Sequence, residues 1–358
     1  MNQCKQFIHQ YTAIEKLVFS KKVHKHLSNC GISGFMLSRE SGGQEKTARE
    51  MFLTSEMLMS YCKNLGLLLS WIIHEIVMWW FIDGFGNADQ KKKFLPKMVS
   101  GDLLGSIAIS EPNVGPHPKY LKTHANITEN TICINGEKTY LTNGPIADIF
   151  VVIAITHIEN TRKHYSAFIV TNDMPGFRYT EPLNFPFVQT SPHGGIVLDN
   201  CMIPKTNLLG KINTAYDSMV KPFREIEDTL MMGAILGGMQ CQLNDLIHEI
   251  NRNHFHFDQD HLLNLGNLQT IISTGRVVAE KAGQLLDERN RSIDLLLGFR
   301  QWAESYQTCY NSLIRQMPDL ETDQMNSLAN DLSGLGRVAL KIMQKKQMDL
   351  GKNLLLCY

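Results

Sequence analysis

The spacing of hydrophobic residues divides the chain into a helical region, a β-rich region and a second helical region. In the first hundred residues, apolar positions recur at helical intervals, as in residues 48–63, and β-branched residues are few. A shorter amphipathic pattern covers residues 87–98, and Pro96 predicts a break in that helix. The pattern predicts an N-terminal helical domain that extends to residue 103.

From residue 104 the pattern changes to short β-rich runs separated by turn residues. The runs are clearest at four places, residues 131–136, 148–156, 165–170 and 195–200. Most of the prolines lie between Pro112 and Pro204, as expected for turns and sheet edges. The sequence therefore predicts a middle domain, residues 104–212, that is a β-barrel or a β-sandwich.

Helical periodicity returns after residue 212 and continues to the last residues. It predicts four long helices joined by short connections, at residues 227–250, 262–290, 292–316 and 323–351. Such a series is typical of an antiparallel bundle, here residues 213–358. The predicted fold is an α+β multidomain protein, with a helical domain (residues 1–103), a β domain and a helical bundle in that order.

One stretch, residues 65–82, is long and apolar enough to resemble a membrane span. His74 and Glu75 lie in its middle, and an acidic side chain at the centre of a bilayer costs a few kcal/mol. We therefore expect a buried core helix and no membrane span.

Charge and cysteine content narrow the function classes. The chain has 358 residues with 35 basic and 35 acidic side chains, so a nucleic-acid partner is not expected. Its eight cysteines are scattered, and the first ten residues are polar, which together favour reduced thiols in a cytoplasmic protein. The His and Asp residues at 254–261 match no metal-binding spacing, so a polar loop is expected there and no metal site.

Two motifs of the β-rich region carry candidate chemistry. Residues 110–116 read SEPNVGP, and residues 135–144 read NGEKTYLTNG. In this order they resemble the two flavin-binding segments of the acyl-CoA dehydrogenase family. Residues 31–43, 86–102 and 199–210 are similar to further stretches of that family, and the resemblance extends over residues 25–245. Taken singly, the two motifs also fit an ordinary turn and an ordinary hairpin.

The resemblance implies that the protein binds FAD and catalyses the α,β-dehydrogenation of an acyl thioester, carried by CoA or by an acyl carrier protein. A carboxylate then removes the α-proton, and flavin N5 takes the β-hydride. By position in the motifs, Ser110 contacts the edge of the flavin ring, Thr142 lies near N5, and Tyr140 stacks on the ring. The remaining cofactor contacts that the resemblance implies are Ile109, Gly115, Leu141 and Arg252.

The catalytic base is placed by a second pattern. Members that resemble the isovaleryl and long-chain enzymes carry the base on the first helix of the bundle, before a Gly-x-Met-Gln segment. Aligning residues 237–240 (GGMQ) on that segment places Glu227 at the base position, with Arg224 and Glu225 near the substrate. The alternative is that Glu227 is a solvated carboxylate of a helix.

Other positions leave alternative functions open. Arg252 fits the pyrophosphate-binding arginine of the family only with a one-residue deletion; otherwise Asn253 holds that place. An adenine-side motif is not found. The alternatives are a catalytically impaired relative that serves in binding or assembly, and a related flavin oxidase or monooxygenase. The resemblance also allows an electron-transfer flavoprotein or a similar acceptor, and it implies a homodimer or homotetramer.

Overall fold

The computed structural model describes residues 14–253 and 258–356, and these residues form two compact units. The first unit contains the residues up to Lys46 together with Leu69–Phe185 and Gln189–Glu227. The second contains Thr47–Leu68, Pro186–Val188 and the residues from Asp228 onward.

The N-terminal region is helical, as predicted. Its helices are α1 (Lys21–Asn29), α2 (Ala48–Cys62), α3 (Leu65–Ile76), which continues as a π-helical segment (Val77–Asp83), and α4 (Ala88–Val99). At the start of α2, the Glu50 N–H donates to the Thr47 hydroxyl and the Thr47 N–H donates to the Glu50 carboxylate, which satisfies two backbone N–H groups.

The predicted break at Pro96 is wrong, because α4 continues through this residue to Val99. A proline inside a helix removes one N–H, and the carbonyl that loses its partner belongs to Lys92. Lys92 is exposed, so water can satisfy that carbonyl.

The apolar stretch Leu65–Asp83 is long enough to cross a membrane, with a mean hydropathy of 1.8, but 89% of it is buried inside the structure. This burial favours a core helix. The Glu75 carboxyl group, which is fully buried, accepts hydrogen bonds from the backbone N–H groups of Gly34 and Phe35 at 3.0 and 2.7 Å. Its neighbour His74 accepts from the Gly105 N–H at 3.0 Å, which fixes the point where the sheet begins.

The middle region forms one sheet of eight strands. They are β1 (Gly105–Ala108), β2 (His124–Ile127), β3 (Thr131–Thr142), β4 (Ile149–Glu159), β5 (Arg162–Thr171), β6 (Phe177–Tyr179), β7 (His193–Pro204) and β8 (Leu208–Leu209). The spatial order is β6-β7-β3-β2-β4-β5-β8, and β1 pairs with β4 in parallel. The long pairs β3–β7 and β4–β5 are antiparallel. Alternate apolar side chains of these strands form a continuous core on one side of the sheet.

The C-terminal region is helical, as predicted, with α5 (Lys221–Arg252), α6 (Gln259–Asp287), α7 (Ile293–Gln316), α8 (Asp323–Arg337) and α9 (Leu340–Leu356). The single helix predicted over residues 323–351 is wrong. The chain leaves the helical conformation at Val338 and Ala339, and Ala339 has a positive φ of 60°. The order of a helical region, a sheet and a second helical region confirms the predicted fold class.

Candidate functional site

A buried ion pair joins the two motifs of the β region. Lys138, in β3, has no exposed surface, and its ammonium group lies 2.9 Å from the Glu111 carboxylate. The same ammonium donates a hydrogen bond to the backbone carbonyl of Ile109, also at 2.9 Å. The pair therefore fixes the SEPNVGP loop to the NGEKTYLTNG strand.

Each member of the pair stabilises the charged form of the other against the effect of burial. Burial pushes the pKa of Glu111 upward, but Lys138 and the N–H donors of Lys122 and Thr123 outweigh burial and keep that pKa below its usual value. Burial lowers the pKa of Lys138 to about 8, and Glu111 opposes that change. A charge pair of this kind is stable inside a protein only when further hydrogen bonds satisfy it, as they do here.

The loop then presents Ser110 beside β3. The Thr139 N–H donates to the Ser110 carbonyl at 2.9 Å, so the backbone of Ser110 is fixed. Ile109 is buried and Ser110 is half-buried. Within the described part of the chain, the Ser110 hydroxyl makes no hydrogen bond, which leaves it available to a ligand.

Tyr140 lies at an irregularity of β3. The register between β3 and β7 shifts between Lys138 and Leu141, and Tyr140 has a φ of 62°, a conformation that bulky residues rarely adopt. The bulge turns the Tyr140 side chain outward, where 50% of the residue is exposed. A Cβ on Gly195 of β7 would lie 2.2 Å from the Lys138 carbonyl oxygen, so only glycine lets β7 approach the bulge.

Leu141 and Thr142 follow the bulge with different surroundings. The Leu141 side chain lies in the hydrophobic core of the sheet, so only its backbone can face a ligand. The Thr142 hydroxyl lies 3.1 Å from Nε2 of His193 in β7. His193 was not among the predicted site residues, and it lies two residues before the strand predicted over residues 195–200.

Gly115 closes the first motif. Its φ of 60° is in the left-handed region, and the Glu111 N–H donates to its carbonyl at 3.1 Å. A Cβ placed on Gly115 would have no neighbour within 4 Å, so this glycine is required by its backbone conformation and leaves open space beside it.

Glu227 lies near the start of α5 and pairs with Arg224. The Arg224 guanidinium donates to the Glu227 carboxylate at 2.9 Å, and the side chains are 24% and 15% exposed. Glu225 is half-buried between them in sequence. Asp228, the residue after Glu227, accepts a hydrogen bond from Arg300 at 3.0 Å within the second unit.

Arg252 lies at the other end of α5. Its side chain is 70% exposed, and its guanidinium is 3.5 Å from the Glu249 carboxylate one turn earlier on the same helix. Arg252 belongs to the second unit, whereas the two motifs belong to the first. His254 and His256, which belong to the predicted polar loop at residues 254–261, and the polar N-terminus lie outside the described residues. Within residues 14–253 and 258–356, no three His, Cys, Asp or Glu side chains form a group that could hold a metal ion. The cysteines in these ranges are free thiols.

A cleft of about 320 Å³ opens at the turn between β4 and β5. Its lining is mostly basic and aromatic: Lys119, Arg162, Lys163, Tyr165, Tyr216 and Lys221. Lys163 donates to two backbone carbonyls, those of Lys119 and Leu121, and Lys221 pairs with Asp217. The cleft is suited to an anionic group.

Comparison with known proteins identifies the class. Residues 2–102 match the N-terminal domain of acyl-CoA dehydrogenases, and residues 106–201 match their middle domain. The chain belongs to the acyl-CoA dehydrogenase family, whose members are oxidoreductases that act on CH–CH bonds. FAD is the cofactor that this membership indicates.

Individual relatives share this assignment. An L-prolyl-[peptidyl-carrier protein] dehydrogenase of Pseudomonas fluorescens is 32% identical over 63% of this chain and 60% of its own. A mitochondrial isovaleryl-CoA dehydrogenase of Pongo abelii is 31% identical over 62% of this chain and 52% of its own. The chain thus matches little more than half the length of these relatives. A solved FAD complex of PigA has the same fold, with a TM-score of 0.82 and 20% identity over 98% of this chain and 93% of that one.

Proposed function

We propose that the protein is an FAD-dependent dehydrogenase that introduces an α,β double bond into an acyl thioester. The observation that carries this proposal is the buried Glu111–Lys138 pair, which fixes both flavin-type motifs in one unit. The pair brings the Ser110 hydroxyl beside β3, the strand that carries the outward-facing ring of Tyr140 and the hydroxyl of Thr142. A turn and an unrelated hairpin would not need a buried charge pair between them.

The residues of the two joined motifs fit the ring of FAD. Ser110 offers a hydroxyl without a partner in the described chain, and Tyr140 offers a ring face held outward by a strained bulge. Backbone strain of this kind costs about 1–3 kcal/mol and persists where the surroundings impose it, often at ligand sites. When bound, FAD supplies the acceptor for the β-hydride.

Each motif residue then has a distinct part. Tyr140 stacks on the ring, Ser110 hydrogen-bonds its edge, and Thr142 places its hydroxyl near N5. Ile109, Gly115 and the backbone of Leu141 shape the wall of the same site. Arg252 is proposed to contact the pyrophosphate, for which it must exchange its weak contact with Glu249 for the ligand.

Glu227 is proposed as the base that takes the α-proton. It is a mostly buried carboxylate, which is the environment a base needs in order to act on a weakly acidic C–H bond. Arg224 holds this carboxylate in one orientation through the 2.9 Å hydrogen bond. Glu225 and Arg224 are proposed to lie beside the thioester arm.

The basic cleft supports a thioester whose carrier bears phosphate. CoA and the arm of an acyl carrier protein both carry phosphate. A phosphate group of either carrier could therefore pair with the positive charges of Arg162 and Lys119 in the cleft. An electron-transfer flavoprotein as acceptor, a homodimer or homotetramer, and a cytoplasmic location complete the proposal.

The cofactor and the substrate class are tested together by spectroscopy. Purified protein is expected to be yellow with FAD near one equivalent per chain, and an acyl-CoA or acyl carrier protein is expected to bleach the flavin band without oxygen. Colourless protein that takes up no added FAD would favour the binding or assembly alternative. Fast reoxidation by oxygen after bleaching would favour the oxidase alternative.

The role of Glu227 is tested by Glu227→Gln. The amide keeps the size of the side chain but cannot accept the proton, so we expect a loss of bleaching rate of at least about a hundredfold with FAD still bound. Glu304→Gln, which alters an exposed helical carboxylate, serves as the matched control and should keep the wild-type rate. A normal rate in Glu227→Gln would remove Glu227 from this role.

A further inference from the structure

His193 is held in one tautomer by its two neighbours. Its Nδ1 lies 2.8 Å from the Ser191 carbonyl oxygen, which can only accept, so Nδ1 carries the hydrogen. In a neutral imidazole, Nε2 then has a lone pair and no hydrogen. The Thr142 hydroxyl, 3.1 Å away, must therefore donate its hydrogen to Nε2.

The surroundings keep this imidazole neutral. His193 is 8% exposed, and burial lowers its pKa below the usual value, while the hydrogen bond to Ser191 only partly opposes this effect. The ring packs edge-on against Phe185, with 5.0 Å between centroids. No charged side chain of the described residues contributes to the shift.

The hydrogen bond to His193 restricts what Thr142 can offer to a ligand. Its hydroxyl has one hydrogen and two lone pairs, and the hydrogen is already used. Toward a ligand, the Thr142 oxygen can therefore only accept a hydrogen bond. A ligand atom beside it is favoured when that atom carries hydrogen and disfavoured when it has only a lone pair.

We propose that His193 is a positioning residue that makes Thr142 a hydrogen-bond acceptor toward bound FAD and so favours the reduced form of the cofactor. In oxidised FAD, N5 has a lone pair and no hydrogen; in the reduced form, the N5–H group could donate a hydrogen bond to the Thr142 oxygen. This inference rests on the proposed function, which places Thr142 near N5. The consequence is an enzyme whose cofactor accepts electrons from the substrate more readily.

The first measurement needs no cofactor. Long-range proton–nitrogen NMR of the FAD-free protein is expected to show His193 as the neutral Nδ1–H tautomer at neutral pH. The neutral Nε2–H tautomer, or a doubly protonated ring, would overturn the inference whatever the protein binds.

The second measurement compares the affinities of oxidised and reduced FAD in matched variants. His193→Leu removes the acceptor, so the preference for reduced FAD should fall about tenfold, which for a two-electron couple lowers the midpoint potential by about 30 mV. His193→Gln can still accept from Thr142 through its amide oxygen and should keep most of the preference. His157→Leu, an exposed histidine of β4, is the control and should match the wild type.

The outcomes separate the two proposals. If FAD binds and the substrate bleaches it, but His193→Leu has the wild-type ratio of affinities, only the role of His193 is overturned. If the protein takes up no FAD, the proposed function and the role of His193 both fail, and the tautomer stands as a structural fact. An equal loss in His193→Leu and His193→Gln would point to packing and would also overturn the inference.

Discussion

Individual side chains fix the geometry of the candidate site, and the clearest case is the ion pair between Glu111 and Lys138. Two charges buried 2.9 Å apart stabilise little in net terms, since desolvation offsets most of their attraction. Loss of one partner would leave an uncompensated charge, at a cost of about 3–5 kcal/mol. The pair therefore makes the relative position of the two motifs depend on both residues.

At Tyr140, stability and ligand binding are expected to change in opposite directions. Tyr140→Asn places at φ 62° a residue that tolerates this conformation, so the free energy of unfolding of the FAD-free protein should rise by about 1 kcal/mol. The same change removes the stacking ring and should weaken FAD binding about tenfold. Urea unfolding and a fluorescence titration with FAD measure the two effects.

Tyr140→Phe is the matched control for this experiment. It keeps both the strained backbone and the ring, so stability and affinity should stay close to the wild type. If Tyr140→Asn bound FAD as tightly as the wild type, the stacking role of Tyr140 would be rejected.

At the residue scale, the roles of Ser110 and Thr142 toward the flavin stay predictions, and the partner of Thr142 could not be predicted from the sequence. The order of the two motifs placed Ser110 and Thr142 in one region, but nothing in the sequence paired Thr142 with His193, 51 residues away. The contact depends on the register of β3 against β7, and a shift of one residue would turn His193 to the other face.

At the scale of elements, the glycines of α5 show how one helix is fitted to another within the second unit. A Cβ on Gly233 would lie 2.3 Å from the Phe52 carbonyl oxygen and 2.4 Å from the Ser55 hydroxyl of α2. A real Cβ cannot be accommodated at such distances, so the backbones of the two helices approach closely only because residue 233 is glycine.

Two glycine-to-alanine changes in this unit are expected to have opposite effects. Gly233→Ala should lower the free energy of unfolding by about 1–3 kcal/mol, because α5 must move away from α2. Gly298→Ala, in α7, meets nothing within 4 Å and should raise it by about 0.5–1 kcal/mol through helix propensity alone. Thermal unfolding of both variants gives the comparison. A neutral Gly233→Ala would show that the helices can separate without cost.

Hydrophobic periodicity predicted the elements well where the pattern was long and regular, and poorly where one residue decides. The α, β, α order and the helices α6 and α7 followed from their apolar spacing. Pro96 did not end α4; Lys92, whose carbonyl it leaves unpaired, is an exposed residue, so water can satisfy that carbonyl. The break at Ala339 was missed, because alanine carries no signal for a positive φ.

On the scale of the whole molecule, buried titratable groups of the first unit link folding to pH. His24 and His74 are both buried, with ring centroids 4.3 Å apart. Burial lowers the pKa of His24 to about 4, while the carbonyl of Leu103 and the charge of Asp148 only partly oppose it. Burial and the neighbouring His24 lower the pKa of His74 as well.

Glu75 changes the pH dependence of stability in the direction opposite to that of the two histidines. Burial raises its pKa to about 8, although the N–H groups of Phe35 and Gly34 oppose this. Its contribution to stability is full below the pKa of an unfolded glutamate and is lost as the pH rises toward 8. The free energy of unfolding as a function of pH therefore contains two opposing contributions. The contribution of one histidine can be measured only by comparing the wild type with a variant that lacks it.

His24→Phe isolates the histidine contribution. An unfolded histidine takes up its proton near pH 6.5, but the folded protein keeps His24 neutral down to about pH 4. The stability that His24 contributes is present above pH 6.5 and is lost as the pH falls toward 4. Between these values the wild type should lose about 3 kcal/mol relative to His24→Phe. Urea unfolding of both proteins, followed by circular dichroism across this range, measures the difference. Parallel pH profiles would mean that His24 is protonated in the folded protein, and the buried histidine pair would then have to be accommodated as a charged group.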